Sequence, residues 1–248
     1  MSYKTIHDAL RLLPPGSKIL DVWGASAPYK RATHIIDYVP FDAIQYNQVK
    51  WEGEVCFSKD TYVQWDICSR EPFPYKDKEF DFTICSHVLE DIRDPIWVCS
   101  ELIRISKAGY IEVPSRIYEL TFGIEAKNLA GASHHRWIVE NIDSWLTFTF
   151  KNFYTHKKSI NNKNIPLTDE NKVIRFFWDN SFVYNENWLS SWGDMFSYHQ
   201  GSSLNEKEVR RFFRIISPKN RAYAWISYFY HTNTFTKKIM DVFMKCKK

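Results

Sequence analysis

The stretch Phe80-Asp-Phe-Thr-Ile-Cys85-Ser-His-Val-Leu-Glu90-Asp-Ile-Arg-Asp-Pro95 decides how the rest of the chain is read. An apolar run ends at Cys85, and a short loop then carries Ser86 and His87. Asp94 and Pro95 open a helix, because Asp is a favoured N-cap and Pro suits the first helical turn. Ile96, Cys99 and Ile103 follow at the spacing of a buried helical stripe. Gly109-Tyr-Ile-Glu-Val-Pro114 then supplies a second buried strand. Strand, helix and strand in that order predict a crossover unit with parallel strands.

Upstream, Lys18-Ile-Leu-Asp21-Val22, Thr33-His-Ile-Ile-Asp37 and Tyr62-Val-Gln-Trp-Asp66 repeat one shape, a short apolar run closing on an acid. Before them, Ile6, Ala9, Leu10 and Leu13 share a helical face between Tyr3 and Leu13, and Pro14-Pro15-Gly16 ends that helix. Alternating strands and helices predict an α/β sheet covered on both faces. Ligands of such sheets bind beyond the C-terminal strand ends, where the strand order reverses. Asp21, Asp37 and Asp66 all fall at strand ends, so one pocket can collect them.

Downstream the rhythm changes. Residues 114–143 form a long excursion rich in His, Arg and Trp, Ser144–Phe150 alternates as a strand, and residues 151–172 read as a polar loop. Ser203-Leu-Asn-Glu206 is a capping box opening a helix to about Ile216. Ala222–His231 reads as a late strand, and Phe235, Ile239, Val242 and Cys246 stripe a final helix. With no repeat and no clear linker, a single domain over 1–248 is expected. Its binding core covers about 16–118, and about 119–248 forms a substrate-side insertion and C-terminal elaboration.

The net charge of +4 is too mild to predict a nucleic-acid partner. Five cysteines without a C-x-x-C pair read as reduced thiols rather than a disulfide frame. No basic-then-apolar leader opens the sequence, and no apolar run approaches the roughly 18 residues that span a bilayer. A cytoplasmic protein with no membrane insertion is expected.

The Phe80–Pro95 stretch resembles the class I S-adenosylmethionine-dependent methyltransferases, whose signature runs F-D-x-[VI]-x-x-x-H-V-L-E-H. Arg70-Glu-Pro-Phe-Pro-Tyr-Lys-Asp-Lys-Glu-Phe-Asp81 is similar to the family's x-x-P-F-x-D-x-S-F-D run. The Ala27–Asp37 stretch, with Pro28, Tyr29, Arg31 and Ala32, looks like a bacterial branch of the type 11 group, as do Ile111–Arg116 and Ser133–Trp137. The resemblance covers roughly residues 16–140. It implies a Rossmann-like doubly wound, mainly parallel sheet of the class I methyltransferase type with an elaborated C-terminal half. It also implies S-adenosyl-L-methionine as cofactor.

The family's first loop runs roughly D-x-G-x-G-x-G, whereas this chain reads Asp21-Val22-Trp23-Gly24-Ala25-Ser26-Ala27. Trp23 stands where the first glycine is usual, so it either obstructs the pocket or walls it. The resemblance implies that Asp37 takes the ribose hydroxyls and that Asp66 with Ile67 takes the adenine. Asp21, Trp23, Gly24 and Ala25 would lie along the methionine part, Arg31 would hold its carboxylate, and Ser86 and His87 would complete the cofactor pocket. Each acid has an alternative role as a helix cap or turn residue.

Methyl transfer to oxygen also needs a group that takes the acceptor's proton. His87, His134 and His135 are the candidate bases, with Glu119 on the same rim. For His87 the alternative is a residue that shapes the cofactor pocket. Arg116, Glu119, Arg136 and Trp137 are the candidate acceptor-binding residues, and the two arginines suit a phosphate or carboxylate. For the histidine pair the alternative is a structural cluster. No metal is expected there, because adjacent histidines point apart in most backbones.

Cys85-Ser86-His87-Val88 stands where methyltransferases of nucleobases and amides carry [DN]-P-P-[YF]. An oxygen acceptor on a small molecule is therefore favoured, and Arg116 and Arg136 suit a phosphate-bearing or sugar-linked one. The resemblance implies a surface-glycan (polysaccharide modification) or natural-product pathway. The partners expected are that small molecule and no nucleic acid, and the reading allows a homodimer. The competing readings are a methyltransferase-like binding protein without catalysis and, less favoured, an RNA methyltransferase suggested by Lys151–Lys163.

Overall fold

The computed structural model describes residues 5–24, 27–44, 54–151, 155 and 166–187. The chain divides into two compact units. The first is Met1–Arg116 with His134–Phe150 and Thr168–Glu186, and the second is Ile117–Ser133 with Lys151–Leu167 and Asn187–Lys248. The helix expected at Ser203–Ile216, the strand at Ala222–His231 and the terminal helix lie outside the described residues, as does most of the 151–165 loop.

The first unit is built on a six-stranded sheet. Its parallel strands are β1 (Ile19–Val22), β2 (His34–Asp37), β3 (Tyr62–Gln64), β4 (Phe82–Ser86) and β5 (Ala108–Pro114). Two further strands, β6 (Trp137–Ile142) and β7 (Trp145–Phe150), form a hairpin, and β8 (Val173–Asp179) and β9 (Val183–Asn187) follow. The main sheet runs β3-β2-β1-β4-β5-β8, with β8 antiparallel to β5, and β6-β7-β9 forms a second sheet. The order reverses between β1 and β4, which is where a doubly wound sheet binds its ligand. The α/β class expected from the alternating sequence rhythm is therefore present as a mainly parallel sheet.

Each face of the sheet has its own apolar layer. On one, Ile6, Ala9 and Leu10 of helix α1 (Ile6–Leu12) pack with Ile19, Phe82, Ile84 and Tyr110. On the other, Val98, Cys99, Leu102 and Ile105 of helix α2 (Pro95–Ile105) pack with Leu20, Val22, Cys85 and Ile111. Asp94 caps α2, its Oδ1 accepting the Trp97 N–H at 3.1 Å, and Pro95 occupies the first turn. The sequence placed that start correctly because both residues act locally.

β8 falls in a segment whose sequence, Val-Ile-Arg-Phe-Phe-Trp-Asp, has no clean alternation. It pairs with all of β5, from Ala108↔Asp179 to Pro114↔Val173. Opposite Trp178 stands Gly109. A Cβ at Gly109 would meet Trp178 Cζ2 at 2.6 Å and the Thr83 carbonyl oxygen at 2.7 Å.

Candidate active site

The register of the sheet aligns the residues at its C-terminal edge. Gln64 lies beside Asp37, Ser86 beside Glu112, and Glu112 beside Arg175. Val22 pairs with both Ile36 and Cys85, so Trp23 falls between Asp37 and Ser86. Gln64, Asp37, Ser86, Glu112 and Arg175 thus fall in one row of polar residues, with the aromatic Trp23 standing in it after β1, and the strand-order reversal lies in its middle.

Asp21, next to the end of β1, is buried, and its Oδ2 accepts the Tyr29 N–H at 2.9 Å. Gly24 closes over that carboxylate, since a Cβ there would lie 2.7 Å from Asp21 Cγ. Between them Trp23 takes φ +62°, the left-handed conformation that glycine occupies most easily, with its side chain partly exposed. The loop thus keeps a glycine-type backbone at the position where the family's glycine is missing. Ala25 lies outside the described residues.

Asp37 is buried at the end of β2, where its Oδ1 accepts the Val39 N–H at 3.0 Å. Asp66 is exposed beyond β3 and forms a similar turn, accepting the Cys68 N–H at 2.8 Å. Ile67 is fully buried among Leu20, Val22 and Ile36, so its side chain belongs to the core and offers no plate to a ligand. Arg31 also departs from its expected role. Its Nε donates to the Leu10 carbonyl at 3.0 Å and its Nη2 to those of Leu13 and Pro14 at 3.1 and 3.3 Å. The guanidinium satisfies carbonyls left open at the end of α1, a need that spacing along the sequence does not reveal.

His87 follows β4 in the left-handed region at φ +56°. Its Nδ1 lies 3.3 Å from Glu90 Oε1 and its Nε2 lies 3.3 Å from Glu112 Oε1. Glu112 and then Glu90 hold the imidazolium, and they push its pKa up to about 9. Burial alone would raise the Glu112 carboxyl. Hydrogen bonds from His87 and Tyr110, with the charges of His87 and Arg175, outweigh burial and lower its pKa to about 2. Arg175 Nε is 3.3 Å from Glu112 Oε2, which also accepts the Tyr110 hydroxyl. Burial, followed by the Glu112 and Asp21 carboxylates, pushes the Tyr29 phenol well up. His87 is therefore a cation at neutral pH. Of the two roles the sequence allows it, a free base does not fit an imidazole held by two carboxylates, one of them on a different strand.

Asp91, His134 and His135 form a second cluster. Asp91 Oδ1 lies 3.8 Å from His134 Nε2 and 3.7 Å from His135 Nε2, and the imidazole centroids are 4.5 Å apart. The adjacent histidines converge here, contrary to the expectation that they point apart. The reason lies in the chain before β6, where the N–H groups of Arg136 and Trp137 both donate to the Glu90 carbonyl, at 2.7 and 3.0 Å.

The expected acceptor-binding residues separate. Arg136 is exposed. Arg116 pairs with Glu140 at 3.3 Å. Trp137 is buried, with its Nε1–H donating to the Ile92 carbonyl at 3.0 Å, so it packs and pins rather than lining a rim. Glu119 belongs to the second unit, where it is fully buried in an ion pair with Lys151.

Glu112, Tyr29, Glu90, Asp91 and Arg175 complete the two clusters and were not expected as site residues. A signal for Glu112 was present, a lone charge inside the apolar run Tyr110–Val113. None was present for Arg175, whose role depends on the antiparallel pairing of β8.

No family model and no curated protein matches the chain. Solved structures do. A methyltransferase from Mesorhizobium loti that depends on S-adenosylmethionine aligns at 16% identity and TM-score 0.32, over 45% of this chain and 55% of that one. Another from Aquifex aeolicus aligns at 14% identity and TM-score 0.28, over 41% of this chain and 58% of that one. A protein from Pyrococcus horikoshii aligns at 14% identity and TM-score 0.35, over 54% and 66%. The chain spans about half the length of the solved structures it matches. The fold assignment rests on the strand order and register described above.

Proposed function

We propose that the chain is an S-adenosylmethionine-dependent methyltransferase acting on an oxygen of a small, anionic metabolite, phosphate-bearing or sugar-linked. One observation carries the reading: the row of strand-end polar groups that straddles the strand-order reversal. Its acids suit a molecule with a sulfonium, an ammonium and a ribose diol, because carboxylates attract the cations and accept paired hydroxyl hydrogen bonds. Asp37 would take the ribose and Asp66 the adenine amino group. The Asp21–Gly24 turn, Ser86 and His87 would border the methionine part.

When bound, the cofactor would supply an electrophilic methyl group for in-line displacement, its carbon–sulfur bond breaking to leave a neutral thioether. The chain must orient the acceptor oxygen and accept its proton. His87 is already protonated at neutral pH, so the proton acceptor falls to the His134–His135–Asp91 cluster. His87 instead contributes a fixed positive charge beside Glu112.

A second reading is a binding protein without catalysis, favoured by Trp23 in the first loop and by the commitment of Arg31 to α1. Titration calorimetry with S-adenosylmethionine tests the proposal. Saturable binding is expected, weakened at least about tenfold in Asp37→Asn, the effect of losing a charged hydrogen bond. No binding by either calorimetry or equilibrium dialysis with folded protein would overturn it. Binding without turnover across hydroxyl-bearing acceptors would favour the second reading.

A further inference from the structure

Two separate parts of the chain meet at Asp91, His134 and His135. Asp91 lies in the loop after β4, and the histidines immediately precede β6. The segments are fastened together on both sides of Asp91 and directly after His135. Arg136 and Trp137 donate to the Glu90 carbonyl, and the Trp137 indole donates to the Ile92 carbonyl at 3.0 Å. The side chains are thus carried on a backbone fixed next to each of them, the arrangement a preorganised site requires.

We propose that Asp91, His134 and His135 bind one divalent transition ion of the zinc type. Each residue offers one ligand atom, and these atoms all lie within 4.8 Å of one another. Bonds of about 2.0–2.1 Å place tetrahedral ligands about 3.3 Å apart. The separations of 3.7 and 3.8 Å from Asp91 Oδ1 need to close by about half an ångström, and the one between the two imidazole nitrogens, which lies within 4.8 Å, by up to about 1.5 Å. His135 is buried, with 7% of its side chain exposed, while His134 is 61% exposed and Asp91 38%, so the cluster reaches solvent on the His134 side.

Two imidazole nitrogens and one carboxylate oxygen suit zinc, cobalt or nickel. Magnesium and calcium prefer oxygen ligands throughout. Three protein ligands on a partly exposed rim leave coordination positions facing solvent, the pattern of a reactive rather than a structural site. The alternative is a plain ion-pair cluster of Asp91 with a protonated histidine. Ion binding requires no S-adenosylmethionine, so it is tested separately from cofactor binding, but nitrogens that ligate an ion cannot also take the acceptor's proton, and a bound ion would replace the proton-accepting role given to this cluster above.

The test uses the full chain, stripped with chelator and titrated with cobalt(II) alone, then with zinc. Saturation at one equivalent is expected, with visible d–d absorption that zinc abolishes. His134→Ala and Asp91→Asn should each weaken binding at least about tenfold, because even an outer partner of a metal ligand is worth that much. His7→Ala, at an exposed histidine of α1, should leave it unchanged. Failure to saturate would overturn the site and leave the ion-pair cluster. So would unchanged affinity in both ligand variants when their circular dichroism matches that of the unmodified chain.

Discussion

At neutral pH the His87 imidazole sits as a cation between Glu90 and Glu112, and this has a measurable consequence for stability. Its folded pKa, raised to about 9, exceeds the ordinary 6.5. The stabilisation is therefore fully present below the ordinary value and is lost as pH rises through the folded one. Glu112 behaves in the opposite sense. Its carboxyl, lowered from 4.5 to about 2, contributes above the ordinary value and fails as pH falls through the folded one. Urea midpoints should therefore stay level between about pH 5 and pH 6 and decline toward about pH 9. In His87→Gln the alkaline decline should flatten. An unchanged alkaline slope in the variant would mean that another group carries it. Residue identity in the sequence offered His87 as a base, and only the β4–β5 register brings Glu112 to its other ring nitrogen. Arg31 and Ile67 were misjudged for the same reason. The sequence located them at a loop and a strand end, while their roles depend on the end of α1 and on the packing of the core.

Among the elements, those whose start and period are locally encoded were legible. Asp94-Pro95 predicted the first residue of α2, and the acid-terminated apolar runs predicted β1, β2 and β3 to within two residues. β8 was not legible, because its pattern is set by packing on β5 rather than by one buried face. Two substitutions separate these cases. Asp94→Ala removes the cap bond to Trp97 and should cost about 1 kcal/mol in chemical denaturation. The accompanying pair with Arg70 adds little, because that arginine is mostly exposed. Gly109→Ala should cost more, about 1–3 kcal/mol, because the methyl meets both the Trp178 ring and the backbone carbonyl of Thr83. Relief by a second change, Trp178→Leu, would show the clash is with the β8 ring. No relief would assign it to the backbone of β4.

At the scale of the whole molecule, unit 1 was readable because its strands and crossover helix alternate in sequence order, and periodicity registers that alternation directly. In the described part of unit 2, Glu119 is the one residue that the sequence offers as a candidate for the rim, and its burial shows why residue type misleads there. A glutamate in an excursion rich in histidine and arginine looks like a site residue until its burial is known. Here its carboxylate and the Lys151 ammonium are both fully buried, and Lys151 also donates to the Ala132 carbonyl at 2.7 Å. Gly131 packs tightly around the pair, since a Cβ there would lie 2.7 Å from the Glu119 backbone and carboxylate. Two charges removed from water stabilise a fold only while both are present, because either one alone is left unsolvated. Glu119→Gln should therefore destabilise the protein by about 3–5 kcal/mol, and Lys151→Met by a similar amount. The double variant should recover much of that loss, since no uncompensated charge remains in it. Additive losses in the double-mutant cycle would show that the two groups act separately. A fully recovered double variant would show that the pair fixes local geometry rather than supplying net stability, and Glu119 would then be structural in origin despite its catalytic residue type.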